Sequence, residues 1–307
     1  MSINFVLVGH VDHGKSSVGG RLLHTVHAIP DHDFEMIKSK AIVQKEERQI
    51  WSRILDTCEE EQTRGKTHEY SVVPFTYGGD NYELIDTPGH KTFIRQMIAA
   101  INGRPSLIGC LVVSSVLNEF ESAFNRGSIK EHLILLRAIG IRQLVVVLNK
   151  TDISNDEWAV NIQTTLTTYI AKLNYDNVIY HKASAVTGIG IVELLANIKA
   201  VYDKTTLVGA MTAAALTDAV MVNKCIAKVY ILYLPETSII TAGFIAIAYI
   251  NGEECECCIE KCQTRMMRIG DTGKIELSFS NSIQLTKNAK IVLRKDDYTI
   301  GYGTCCA

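Results

Sequence analysis

The stretch Gly9-His10-Val11-Asp12-His13-Gly14-Lys15-Ser16 decides how the chain is read. It follows the apolar run Ile3-Asn4-Phe5-Val6-Leu7-Val8 and precedes Ser17-Val18-Gly19-Gly20-Arg21-Leu22-Leu23, which has helical character. Strand, glycine-containing turn and helix N-terminus form the context in which G-x-x-x-x-G-K-[ST] binds phosphate. Glycine lets the backbone curl so that its amides point inward. Those of Asp12, His13, Gly14, Lys15, Ser16 and Ser17 are expected to surround a β-phosphate as an anion nest. Lys15 supplies a point charge for the β and γ oxygens, and the Ser16 hydroxyl is placed to ligate Mg²⁺.

Three further stretches follow in order. Asp86-Thr87-Pro88-Gly89-His90 ends the strand Tyr82-Glu83-Leu84-Ile85. A carboxylate there can hold Mg²⁺, the Gly89 amide can reach a γ-phosphate, and His90 stands where a side chain can orient an attacking water. Asn149-Lys150-Thr151-Asp152 follows Leu144-Val145-Val146-Val147-Leu148. The Asp152 carboxylate can accept from both guanine N1 and N2, and adenine offers no such donor pair, so the pocket would reject ATP. Asn149 would brace the pocket and the Lys150 stem would lie along the base. Ala183-Ser184-Ala185 ends another strand and can offer the Ser184 and Ala185 amides to the guanine oxygen. Between the first two motifs, Arg64-Gly65-Lys66-Thr67 places the Thr67 hydroxyl where a loop could complete the Mg²⁺ shell only when a γ-phosphate is bound.

Around these motifs, strands are expected at 68–76, 82–86, 107–115, 142–148 and 177–183, and helices at 91–101, 128–139, 155–173 and 190–202, with a polar helical stretch over 30–64. The alternation implies an α/β fold with a mostly parallel sheet covered on both faces, its ligand beyond the carboxyl ends of the strands. From about 224 the pattern becomes short β-branched or alternating runs, 224–234, 242–259, 272–279 and 289–303, which read as a small antiparallel β-barrel or sandwich. The expected organisation is a nucleotide-binding domain over 1–204, a linker over 205–222 and a barrel over 223–307.

The 307 residues suffice for about two cores, and 47% apolar with 21% charged residues is ordinary globular composition. A formal charge of −2 argues against a protein that coats nucleic acid, so DNA is not an expected partner and any RNA contact would be local. The first apolar run is only a strand long and no stretch reaches the length of a membrane span, so neither a leader nor a membrane partner is expected. Of the nine cysteines, seven follow residue 220. In an intracellular, cytoplasmic chain they read as reduced thiols. Cys255 and Cys258 have C-x₂-C spacing, but in a strand Cys255 and Cys257 share one face and Cys258 the other. They are therefore read as small apolar side chains rather than zinc ligands.

Taken together and in this order, the phosphate loop, Asp86 to His90, Asn149 to Asp152 and Ser184-Ala185 resemble a translational GTPase. Asn118-Glu119-Phe120-Glu121-Ser122-Ala123-Phe124, Gly127-Ser128-Ile129-Lys130-Glu131-His132 and Trp51 to Asp56 are similar to the elongation factor 1-alpha and eukaryotic release-factor branch. Gly65-Lys66-Thr67 is similar to its release and rescue members, whereas His13 is closer to elongation factor Tu. The resemblance implies GTP hydrolysis to GDP and phosphate with Mg²⁺, a monovalent cation near Asp12, and His90 held from the water by an apolar gate. Val11 matches one wing of that gate, and Lys66 replaces the other. It also implies a ribosome and a tRNA or release-factor-like partner. Thr241 to Phe244, Ile269 to Asp271 and Leu293 to Gly303 resemble the third domain of the branch, and the second domain has no room between 203 and 223. An alternative is a GTP/GDP-dependent adaptor that docks a protein partner with little stimulated hydrolysis.

Overall fold

The computed structural model describes residues 2–44, 49–55, 70–89, 94–101, 107–125, 127–173, 175–209, 220–232, 239–250, 253–286, 289–296 and 298–306. The chain divides into two compact units near residue 210. In the first, β1 (Ser2–Val8) leads to α1 (Lys15–Thr25), α2 (Asp31–Val43) and the 3₁₀ turn Ser52–Ile54. There follow β2 (Ser71–Tyr77), β3 (Asp80–Asp86), α3 (Ile94–Ile101), β4 (Ile108–Ser114), α4 (Leu117–Asn125), α5 (Ile129–Ile139), β5 (Gln143–Asn149), α6 (Asp156–Ile170), β6 (Asn177–Lys182) and α7 (Ile191–Gly209).

The six strands run in the order β2-β3-β1-β4-β5-β6. All neighbours are parallel except β2 with β3, which pair antiparallel from Ser71 opposite Asp86 to Tyr77 opposite Asp80. Strand β4 is buried along its whole length because helices cover both sheet faces, and its continuous apolar run satisfies both. One face packs Phe5, Leu7, Leu84 and Val112 against Leu22, Leu23 and Ile198. Val6, Val8, Ile85, Leu111 and Val146, one residue out of phase, are buried as well. Helix α4 lies in a stretch for which the sequence pattern predicts no helix. Its anchors are Phe120 and Ala123, too short a stripe to stand out from periodicity alone.

In the second unit β7 (Val220–Ile231), β8 (Ile245–Ile250), β9 (Glu253–Cys262), β10 (Thr272–Leu285), β11 (Lys290–Lys295) and β12 (Tyr298–Cys306) close a barrel in the order β10-β7-β12-β11-β8-β9, every pair antiparallel. Closure pairs each of the six described strands with a neighbour on both sides, which limits the sheet edge open to another chain. The run 242–259 spans two strands, with Ile250 opposite Glu253, and 289–303 likewise spans β11 and most of β12. Asn251-Gly252, the strongest short hairpin signal, stands between the first pair. Alternation buries Cys255, Cys257 and Ile259 of β9 and leaves Glu254 and Glu256 outside. The buried Cys225 thiol lies 3.8 Å from that of Cys305, and burial pushes the Cys257 thiol up to about 12. No described helix is long and apolar enough to cross a membrane.

Candidate functional site

The carboxyl ends of β1, β3, β5 and β6 carry the four described motifs, a consequence of the parallel order. Gly14 adopts φ 85° as the residue that opens α1, whose first turn has neither a side-chain cap nor an acidic residue. The first amides of a helix have no partner of their own, so this start presents donors to an anion. A Cβ at Gly14 would strike the Asn149 amide group, and one at Gly9 would strike the Val112 carbonyl. Asp12, at φ 64°, holds a left-handed conformation unusual for a residue with a side chain and is exposed. Such backbone strain collects at functional sites.

Lys15 is buried, and its ammonium donates to the His10 carbonyl at 3.0 Å. Burial pulls it down to about 8, against the opposing pull of Asp86 and Asp12. His13 is buried at 1% exposure, and its ring is pulled down to about 3 by burial and by Lys15, His10 and Lys150. It is therefore neutral and adds no positive charge to the loop beside that of Lys15. Ser16 Oγ donates to Asp86 Oδ2 at 2.6 Å, bringing a hydroxyl and a carboxylate from β3 together. These are hard oxygen donors of the kind Mg²⁺ prefers. Thr87 Oγ1 donates to the Leu7 carbonyl at 2.7 Å and ties that turn to β1. Gly89 is buried, and a Cβ there would strike Lys15 Nζ. His90, Lys66 and Thr67 lie outside the described residues.

Asn149 joins three of the motifs. Its Nδ2 donates to the His13 carbonyl at 3.0 Å, and its Oδ1 accepts from the Ala185 amide at 3.1 Å. Ser184 Oγ donates to Asp152 Oδ1 at 2.6 Å, while Asp152 stays exposed enough for a base to reach it. Lys150, at φ 65°, forms an ion pair of 2.7 Å with Glu119. Burial raises the Glu119 carboxyl, but hydrogen bonds from Lys150 and Ser114 outweigh it and hold the group below the usual carboxylate range. Sequence reasoning assigned Glu119 no role. The available signal was an acidic residue four positions past the strand 107–115, at the same end of the sheet as the motifs.

A glycine-rich anion cradle at a strand-to-helix turn, with its lysine buried and a carboxylate at the next strand end, defines a P-loop nucleotide-binding domain, here followed by a closed barrel. The elongation factor Tu GTP binding domain family matches residues 1–204, and the chain belongs to it. The members of this family are translational GTPases, which hydrolyse GTP. The chain is 32% identical over 216 residues to elongation factor 1-alpha of Staphylothermus marinus, covering 68% of this chain and 49% of that protein. It is 38% identical over 159 residues to the eukaryotic peptide chain release factor GTP-binding subunit of Schizosaccharomyces pombe, covering 51% of this chain and 24% of that protein. The chain thus spans about half the elongation factor's length and about a quarter of the release factor's. In fold it is similar to the Saccharomyces cerevisiae Ski7 GTPase-like domain solved with GTP, at TM-score 0.82 and 12% identity over 100% of this chain and 97% of that one. A bacterial selenocysteine-specific elongation factor aligns at TM-score 0.64 and 19% identity, over 99% of this chain and 58% of its own.

Proposed function

We propose that the chain is a Mg²⁺-dependent, translation-factor-like GTPase that binds guanine nucleotide through residues 1–204 and hydrolyses GTP to GDP and phosphate. The observation that carries this reading is the Asn149 side chain, which bonds the phosphate loop at His13 and the Ser184-Ala185 loop at once. Base recognition and phosphate recognition thereby share one rigid frame. Asp152 and Lys150 read the guanine ring, and Ser184 and Ala185 offer amides to its oxygen. Lys15 exchanges the His10 carbonyl for phosphate oxygens. Ser16, Asp86 and Thr67 hold the magnesium, which supplies charge neutralisation at the transferring phosphoryl group. His90 orients the water, and Asp12 is the ligand for a monovalent cation. In this reading 205–222 is a linker and 223–307 a third-domain-like barrel. The partners are a ribosome and a tRNA or release-factor-like protein, met in the cytoplasm.

The test is GTP hydrolysis by the full chain with and without ribosomes, alongside Asp152→Asn. Ribosome-dependent stimulation, and a shift of the variant toward xanthosine nucleotides, are the expected results. The alternative adaptor reading is favoured by Lys66, a charged residue where the resemblance calls for an apolar gate. It predicts nucleotide-dependent capture of a protein partner with no stimulation. A wild-type chain that binds ATP as well as GTP would refute both readings.

A further inference from the structure

Ser128 belongs to no chemical motif, yet it is fully buried and joins two of them. It precedes α5, and its carbonyl accepts the His132 amide at 2.9 Å, the bond that opens the helix. A serine at such a position ordinarily turns its hydroxyl onto the helix amides. This hydroxyl instead donates to the Gly89 carbonyl at 3.0 Å, with His10 Nδ1 3.1 Å away. A hydroxyl has one proton to give, so His10 must present a protonated Nδ1 to it. The carbonyl of the same His10 receives the Lys15 ammonium. Gly89 is wedged from the other side as well, since a Cβ there would meet the Gly9 carbonyl and the Val11 amide, each at 2.9 Å.

We propose that Ser128 is a positioning residue for recognition of the third phosphate: by tying the Gly89 carbonyl to His10, it keeps the Gly89 amide aimed at the γ-phosphate. The inference rests on the guanine-nucleotide reading above. A glycine has no side chain to restrain its torsions, so the restraint must come from outside the residue. The phosphate loop and the Asp86 to Gly89 turn come from different strands, and a buried hydroxyl bonded to both transmits the position of one to the other. A diphosphate makes no use of the aimed amide. The latch therefore contributes to triphosphate affinity alone and sets the preference between the two nucleotides.

The experiment measures binding of the full chain to fluorescent GDP and to a non-hydrolysable GTP analogue, in wild type, Ser128→Ala and Ser128→Cys. Ser128→Ala should weaken analogue binding by about tenfold, the size of a lost hydrogen bond that leaves a buried carbonyl unpaired, while GDP binding stays within about twofold. Ser128→Cys keeps the shape and weakens the donor. It should show a smaller loss in the same direction, and it carries the test if the alanine variant does not fold. Equal losses for both nucleotides, or an unchanged ratio, would overturn the proposal while leaving the guanine-nucleotide reading standing. If the wild-type chain binds neither nucleotide, that reading falls and the latch with it.

Discussion

The two units spend their buried polar groups differently. Among the described residues, the first unit buries Lys15, His13, Asp86, Thr87, Ser114, Ser115, Asn149 and Ser184 at or beside the carboxyl ends of its strands, and Arg53, Ser128 and His132 on or beside its helical segments, whereas the barrel buries only Arg294 and Thr299. The barrel interior is Val229, Ile259, Ile275, Leu277, Leu293 and Ile300 with thiols between them. Burying a polar or charged group is unfavourable unless it is well partnered, so a concentration of such groups marks where a fold gives up stability for chemistry. Of the described non-glycine residues in left-handed conformations, Asp12 and Lys150 lie inside motifs, His27 follows α1 outside any motif, and Asp296 is the single example in the barrel. The first unit is built around a site, and the barrel is built around its own packing.

The largest effect should come from Lys15→Ala. Removing the cation that would meet the phosphates is expected to lower GDP affinity on the order of a thousandfold, about 4 kcal/mol, as for truncated buried charge pairs. The nucleotide-free chain should be no less stable, because a desolvated ammonium has been removed. Calorimetry for binding and thermal unfolding for stability would check both halves, and a marked loss of stability would break the contrast between the units. Ile259→Ala in the barrel is expected to do the reverse. It should cost about 2–4 kcal/mol of stability through lost transfer energy and a residual cavity, with GDP affinity unchanged. Both tryptophans, Trp51 and Trp158, lie in the first unit. Tryptophan fluorescence thus follows that unit alone while circular dichroism follows both. A parallel drop in GDP affinity would mean that the division of labour is false.

A smaller effect sharpens the contrast through pH. The free chain holds Lys15 near 8, while bound phosphate would favour its protonated form. Above about pH 8 the complex therefore retains a proton that the free chain has lost. GDP affinity should be flat below that point and fall by about tenfold per pH unit above it. For folding the sign is opposite. The unfolded lysine keeps its proton up to its ordinary value near 10.5, so stability should rise with pH between about 8 and 10.5. Titration calorimetry at several pH values checks the first statement and denaturant midpoints the second. An affinity that does not change across pH 8 would place Lys15 away from the phosphates.

Much of the first unit was legible because its signals are local. A strand, a glycine turn and a helix start are neighbours in the chain, and β4 and β5 have near-continuous apolar interiors because both their faces are covered. Helix α4 was not read, since Phe120 and Ala123 stand at helical spacing but form too short a stripe to decide, and the β8–β9 division was missed although Asn251-Gly252 marks it. The ion pair of Glu119 with Lys150 was only half legible, since the sequence places each residue just past a strand end but does not pair them. Nothing in either residue's neighbours says that their strand ends converge.

By itself the chain's order of residues determined the alternation of strands and helices, the place of each phosphate and base motif at a strand end, and the change to β-structure after about residue 224. These follow from torsional preferences and hydrophobic periods that act over a few residues. Only the tertiary structure decided which distant groups meet: Ser128 beside His10 across 118 residues, Asn149 beneath His13, and Lys15 in surroundings that weaken its hold on its proton. Burial and pairing arise when remote segments pack, and no local rule encodes them.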